Sequence, residues 1–285
     1  MGLSVKNKTS WLLAACMAAC TTLSFADSAR AQEEAPPDYI SGSLGLAWNS
    51  HFISYGFDVW GTGGDFGDNS TFNPTGQVNV EVGDVTVFTG FWADVNNNAP
   101  DTLGGSIQEI DVWLGASFGY EDFSFSVIYQ SWNYASGTEH ILDFIVGFDD
   151  TGMIIDDFAF NPSLTVHNRI ASDDGLSGLQ EGTVLVFGVA PGFTIYEAGD
   201  TTIDMSIPVN VGVSLEDGYF TAGGDSGYAF TSVGLSFSMP MTFIPEGYGD
   251  WSLSAGVTAY FTESSVYSNP DDSFLTASVG ISTAF

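Results

Sequence analysis

The last strand-like stretch of the chain alternates at period two up to Phe285. Counting back, Phe285, Thr283, Ile281, Val279, Ala277 and Leu275 form a row of apolar or small residues. Ala284, Ser282, Gly280, Ser278 and Thr276 form the other row, small and mostly polar. Such alternation gives a β-strand one greasy face and one wet face. A fold that accepts this strand must offer an apolar environment on one side and water on the other.

The same rhythm runs through most of the chain. Ile40, Gly42, Leu44, Leu46 and Trp48 share a face, as do Val78, Val80 and Val82. Alternating rows follow over residues 85–93, 110–118, 123–129 and 142–148. Phe158, Phe160, Leu164 and Val166 then share a face, and 183–195 is apolar on both. Clear rows return at 205–215, 229–237 and 251–261. No apolar run after residue 31 is long enough for a transmembrane helix. The pattern predicts an all-β fold, a transmembrane antiparallel up-and-down β-barrel of about twelve strands, an even number as bacterial single-chain barrels require.

Connection lengths agree. Gly83-Asp84, Tyr120-Glu121-Asp122, 149–155 and 198–201 are short; 54–74, 96–106, 171–182 and 263–272 are longer and alternate with them. Short periplasmic turns opposite long outer loops are the asymmetry of outer-membrane barrels. The stretch 239–249 is long on the short side, and 135–138 is short on the long side. Trp251 and Phe261 cap one lipid-facing row; at ~3.3 Å per residue and ~40° tilt they stand about 25 Å apart along the axis, the height of the apolar band. A soluble sandwich would have to bury all these rows in one interior, which twelve strands do not need.

Residues 1–31 read as an export segment, with Lys6 and Lys8 before an apolar stretch and Ala29-Arg30-Ala31 as the cleavage site. Residues 32–285 are then the barrel, placed in the outer membrane of a Gram-negative bacterium. Leu13-Ala14-Ala15-Cys16 also fits a lipobox, the alternative that would leave a lipidated Cys16. Both cysteines, Cys16 and Cys20, fall in this segment, so no disulfide or cysteine metal site is expected in the barrel. Ending a strand on Phe285 resembles the C-terminal insertion signal of such barrels, so the barrel-assembly machinery and outer-membrane lipid are expected partners.

Four Lys and Arg stand against 35 Asp and Glu, a formal net charge of −31. Past the export segment the only basic side chain is Arg169. Phosphate recognition needs Lys and Arg, so nucleic acid is excluded as a partner. The acidity also suits a protein kept solvated in a saline habitat.

The polar rows should line the lumen. Glu81, Asp94, Glu109, Asp111, Asp143 and Asp204 would make it negative, against Arg169 and His167 on one strand. Twelve strands at ~4.8 Å spacing give a backbone diameter of about 24 Å, and side chains narrow it to roughly 10–14 Å before any loop folds in. Cations should then concentrate inside. His51, His140 and His167 sit in no nucleophile motif, so no enzymatic activity is expected. No Cys or His cluster marks a metal site, and no cofactor is expected. Paired loop carboxylates such as Asp173-Asp174 and Asp271-Asp272 leave hard-cation binding open beside simple solvation.

Some residues resemble a family. Ser50-His51-Phe52-Ile53-Ser54-Tyr55-Gly56 is similar to the S-x-Y-x-x-R-G segment of the TorF-type porins of proteobacteria. Gly90-Phe91-Trp92-Ala93 resembles their G-x-W-A/S, and Glu109-Ile110-Asp111-Val112 their E-I-D-L. Asp122-Phe123-Ser124-Phe125 with Tyr129 is similar to the hairpin that follows, and the match spans residues 40–148. Phe52 replaces the family's Tyr and Tyr55 its Arg, so any role of that arginine does not carry over. The resemblance implies a diffusion barrel without a settled substrate.

The residues therefore predict a porin-like channel for small hydrophilic solutes, preferring cations. Two alternatives stay open. One is a structural or adhesive barrel with a filled lumen. The other is a substrate-specific uptake channel for a sugar, a nucleoside or a cation complex, with Trp92, Trp113 and Trp132 in the lumen and Tyr55, Trp60 and Phe66 in the first long loop as its aromatic platform.

Overall fold

The computed structural model describes residues 39–61, 66–98, 102–154, 158–173, 179–199 and 201–285. The export segment expected over residues 1–31 lies outside the described residues, as does Asp174. The strands are β1 (Ile40–Asn49), β2 (Ile53–Ser54), β3 (Phe57–Asp58), β4 (Thr71–Val82), β5 (Val85–Val95), β6 (Ile107–Tyr120), β7 (Phe123–Tyr134) and β8 (Gly137–Phe148). There follow β9 (Ser163–Ser172), β10 (Gly182–Val189), β11 (Gly192–Ala198), β12 (Thr201–Ser206), β13 (Val209–Ser214), β14 (Gly227–Pro240), β15 (Asp250–Thr262) and β16 (Ser273–Ala284). Among the described residues no helix is long and apolar enough to cross a membrane; any crossing rests on strands.

Twelve antiparallel walls close into a barrel, as the alternation predicts. β10 and β11 make one wall broken at Ala190-Pro191, and β12 and β13 make the next, broken at Ile207-Pro208. Proline has no N–H for the ladder, so each break falls where a donor is missing. β1 closes the ring against β16, with Leu44 opposite Thr283 and Trp48 opposite Val279. Beyond β16 the ladder gains one more pair: Gly42 N–H donates to Phe285 O at 2.8 Å, and Phe285 N–H to Gly42 O at 3.0 Å. A Cβ on Gly42 would lie 2.7 Å from the Phe285 ring, so glycine leaves room for the aromatic.

The rows face as expected. Leu44, Val80, Val87, Leu114, Val127, Phe144, Phe187, Leu235, Val257 and Val279 are all exposed on the outer surface. Full burial of one such side chain is worth ~1.5–3 kcal/mol. Even at half that value, the outer rows in water would forfeit about the ~5–15 kcal/mol by which a domain is folded. An apolar surround removes the conflict.

The boundary between β8 and β9 differs from the sequence reading. Phe158 and Phe160 precede β9 and pair edge-to-face at 4.9 Å, because Asn161 adopts φ +50° and Pro162 follows it. That left-handed residue before a proline ends extended pairing there. The β8–β9 link therefore runs 149–162, much longer than the short turn predicted. At the opposite, loop end, the connections 50–70, 96–106 and 215–226 are long.

Loops of this kind of barrel face the exterior. Cysteines placed singly at Asp68 and Asp84 should therefore differ toward a membrane-impermeant thiol reagent on intact cells. Labelling at 68 and not at 84 is expected; the reverse would invert the barrel.

Candidate functional site

The loop-end half of the lumen is filled by the chain itself. β2 and β3 form a hairpin, Ile53 opposite Asp58 and Ser54 opposite Phe57. Its two turn residues, Tyr55 at φ +49° and Gly56 at φ +86°, match the tight turn that needs positive φ at both centres. Ser50 fastens the base: its N–H donates to Ala277 O at 2.9 Å, and its Oγ accepts from Ala277 N–H at 2.8 Å. His51 Nδ1 lies 3.0 Å from Asp58 Oδ2. The tip is held by the last loop. Asn269 donates to Gly56 O at 2.9 Å and accepts from Asp58 N–H at 2.9 Å, and the Tyr267 hydroxyl donates to Tyr55 O.

Apolar packing completes this plug. Val184, Val186, Tyr219, Phe220, Ala229, Phe230, Val266 and Tyr267 form one buried cluster, with Tyr55, Phe57 and Tyr260 against it. The loops carrying Tyr219 and Tyr267 both turn inward. Burial pushes both phenols well above the ordinary tyrosine range, so they stay neutral.

Beneath the hairpin stands an acidic wall. Asp94, Glu109, Asp111, Glu139 and Asp143 are all buried, on β5, β6 and β8. Asp94 accepts from Trp60 Nε1 at 2.7 Å, from Asn96 at 2.8 Å and from the Thr71 hydroxyl. Arg169 Nε pairs with Glu139 Oε1 at 2.9 Å. The guanidinium also donates to the carbonyls of Tyr219 (2.7 Å) and Gln180 (3.1 Å), and its carbon sits 4.0 Å above the Tyr219 ring. His167 places Nδ1 2.7 Å from Asp143 Oδ1. Its ring stacks on Tyr55 at 3.8 Å and on Trp132 at 5.4 Å. Gln130 links the two sides, donating to Asp143 at 2.5 Å and accepting from Trp132 Nε1 at 3.1 Å.

The plug leaves a small polar cavity. It measures about 60 Å³ and is lined by Asn49, His51, Asn73, Asn210, Thr258 and Tyr260 among others, with Phe52 tilted against Trp92 at 4.9 Å. At ~10–15 Å³ of such volume per water, that is room for about four to six molecules. Among the described residues, loops and aromatic side chains occupy the loop-end half of the roughly 10–14 Å bore expected from the strand count.

The predicted lumen residues divide into two groups. Asp94, Glu109, Asp111, Asp143, His167 and Arg169 come together as described. Glu81 and Asp204 lie on inward rows near the turn end, half-buried, bonded to Thr86 and to Thr194. They do not join the buried wall. Of the aromatics, Tyr55, Trp60, Trp92 and Trp132 are built into the plug and wall. Trp113 lies against the side, donating to Gln77 at 3.0 Å, and Phe66 stays exposed. Glu139 was missed, although β8 extended back by two residues from Ile141 puts it on Asp143's row. Tyr219, Tyr267 and Asn269 sit in loops without periodicity, so no pattern signals them.

No protein-family model matches the chain, and no curated protein matches it in sequence. Among solved structures it is similar in fold to the NanC porin, at 11% identity over 85% of this chain and 98% of that one, with a TM-score of 0.43. It is also similar to a bacterial polysaccharide outer membrane secretin, at 9% identity over 86% and 97%, with a TM-score of 0.47. The beta domain of the Bordetella autotransporter BrkA gives 11% identity over 86% and 98%, with a TM-score of 0.43. These likenesses concern the barrel alone.

Proposed function

We propose that this chain is a porin-like channel of the bacterial outer membrane that passes small hydrophilic solutes with a preference for cations, and that the β2–β3 hairpin is its gate. The supporting observation is the contrast between the two faces of the barrel. The outer rows are predominantly apolar, and the inner wall beneath the hairpin carries five buried carboxylates against one guanidinium and one imidazole. A purely structural barrel would gain by packing its interior with apolar side chains, since buried charge is costly. Acidic side chains that are roofed by a removable hairpin fit a conduction path in its closed state. Cation preference belongs to the open state, when the roof is withdrawn and the field of the wall reaches water.

Kinship with TorF-type porins is part of this reading. The residues that carry the resemblance, Ser50, Trp92, Glu109 and Asp111, converge on the plug and the wall. Tyr55, in place of the family's arginine, stacks on His167. The filled structural barrel is the second reading, favoured by the tight seating of Tyr55 and Phe57.

Bilayer recording under a KCl gradient separates the outcomes. The reversal potential should report potassium over chloride. Replacing Glu109 by Gln and Asp111 by Asn together should move it toward zero without abolishing current. The preference should shrink at 1 M salt, where the Debye length falls to ~3 Å. A chloride-selective current, or one indifferent to the double change, would place the path away from this wall.

A further inference from the structure

The cavity under the hairpin differs in chemistry from the acidic wall. Its sides come from β1, β4, β5, β13, β14, β15 and β16, and its roof from His51 and Phe52 at the base of the hairpin. The acidic wall stands on β5, β6 and β8. Among the described residues that line the cavity there is no Asp, Glu, Lys or Arg, in a chain with 35 Asp and Glu. Its one imidazole, His51, already faces Asp58 at 3.0 Å. Asp94 follows Trp92 along β5, but its oxygens are taken by Trp60, Asn96 and Thr71. Carboxamides and hydroxyls line the space instead, with the rings of Phe52 and Trp92 tilted together.

We propose that this cavity binds a small neutral polyol. This rests on the reading of the barrel as a channel and names one class of solute for it. Charge sorts the candidates first. A cation is drawn to the carboxylates of the acidic wall, and an anion finds no guanidinium here, so the solute held at this place is uncharged. Carboxamides and hydroxyls both donate and accept, as the hydroxyls of a polyol do. They are also held in place: Asn49 donates to Asn73 at 2.5 Å, Asn73 to Ala93 O at 3.1 Å and Asn210 to Ser232 at 3.3 Å. Fixed partners lower the ordering cost of binding. Trp92 supplies an independent pointer. It is only 6% exposed, and its indole N–H has no acceptor among the described residues. A buried donor left unpaired is destabilising, and a solute oxygen in the cavity would satisfy it. The Phe52 ring gives the carbon chain an apolar surface. Size fits as well. Room for about four to six waters, at ~30 Å³ each in the liquid, corresponds to a solute of about 120–180 Å³, a polyol of roughly three to five carbons.

The test is ligand-observed saturation-transfer NMR on the full barrel in lipid nanodiscs, with xylitol as the probe. Xylitol should bind saturably in the low-millimolar range. Asn210→Leu, which removes a carboxamide at nearly constant volume, should weaken it about tenfold or more. Trp92→Phe, which removes the indole N–H, should weaken it roughly fivefold, and Trp113→Phe, outside the cavity, should change nothing. The heat-modifiable band on a gel checks that each variant is folded. Where a variant fails to fold, a charge series on the unmodified protein decides. N-methylglucamine, a cation of similar build, and gluconate, an anion, should each bind at least about tenfold more weakly than xylitol. N-methylglucamine binding as tightly as xylitol would overturn the polyol site in favour of the acidic wall. Absence of a saturable xylitol signal, or a signal indifferent to Asn210→Leu in a folded variant, would overturn it as well. Binding is read without current, so the two failures are distinguishable. A barrel that binds xylitol and never conducts keeps the site and loses the channel; one that conducts without binding xylitol loses the site alone.

Discussion

Replacing Arg169 by Met should lower barrel stability by about 3–5 kcal/mol, the usual penalty for removing one partner of a buried ion pair. Among the described residues Arg169 is the only guanidinium facing the acidic wall, and it meets Glu139, two carbonyls and the Tyr219 ring at once. Its loss strands Glu139 among Asp111, Asp143 and Glu109 with no compensating cation. The readout is the temperature at which the compact, heat-modifiable form disappears on a gel. Changing Glu139 to Gln in the same molecule should recover part of the loss, because the stranded charge is then removed as well. The two carbonyls left without a donor should keep the recovery incomplete. A double variant as unstable as the single one would show that the guanidinium acts through packing and those carbonyls, not through the pair.

Gly56→Val should unseat the hairpin while leaving the barrel folded. A Cβ at Gly56 would lie 2.7–2.9 Å from the Phe230 side chain, and the residue sits at φ +86°, a conformation valine strongly avoids. Strain of ~1–3 kcal/mol from the backbone adds to ~1–3 kcal/mol from overpacking. Only the closed state bears these penalties. The ratio of open to closed molecules should therefore rise by a factor on the order of 100, taking about 3 kcal/mol as the sum. Liposome swelling in small neutral solutes should be fast for the variant and slow for the parent protein. Equal rates, with the variant folded, would mean that the hairpin does not control entry.

The barrel was legible because period two leaves little freedom. One apolar row per segment sets which face meets lipid, and a one-residue slip would exchange the faces. Twelve walls, their order and most of the inward residues follow from that. Boundaries failed where backbone chemistry overrode the rhythm: Phe158 and Phe160 fit an outer row, yet Asn161-Pro162 separates them from β9. The acidic wall was mostly legible, since Asp94, Glu109, Asp111 and Asp143 lie on rows opposite clear apolar ones. The plug was not. Tyr55, Tyr219 and Tyr267 gather in one buried cluster across separations of more than 40 residues, and nothing periodic marks a loop that turns inward. The strand count gave a backbone diameter, but only loop packing decides how much of it stays empty.

Because packing closes the bore, single-channel recording of the unmodified protein reads the gate itself. In a planar bilayer at low voltage, long silent periods broken by brief, discrete steps are expected. The same preparation with residues 51–59 replaced by a short Gly-Ser linker should show sustained steps of equal or larger size. Persistent silence in both proteins, with the shortened one verified as folded, would rule out gating by the hairpin and leave a filled structural barrel.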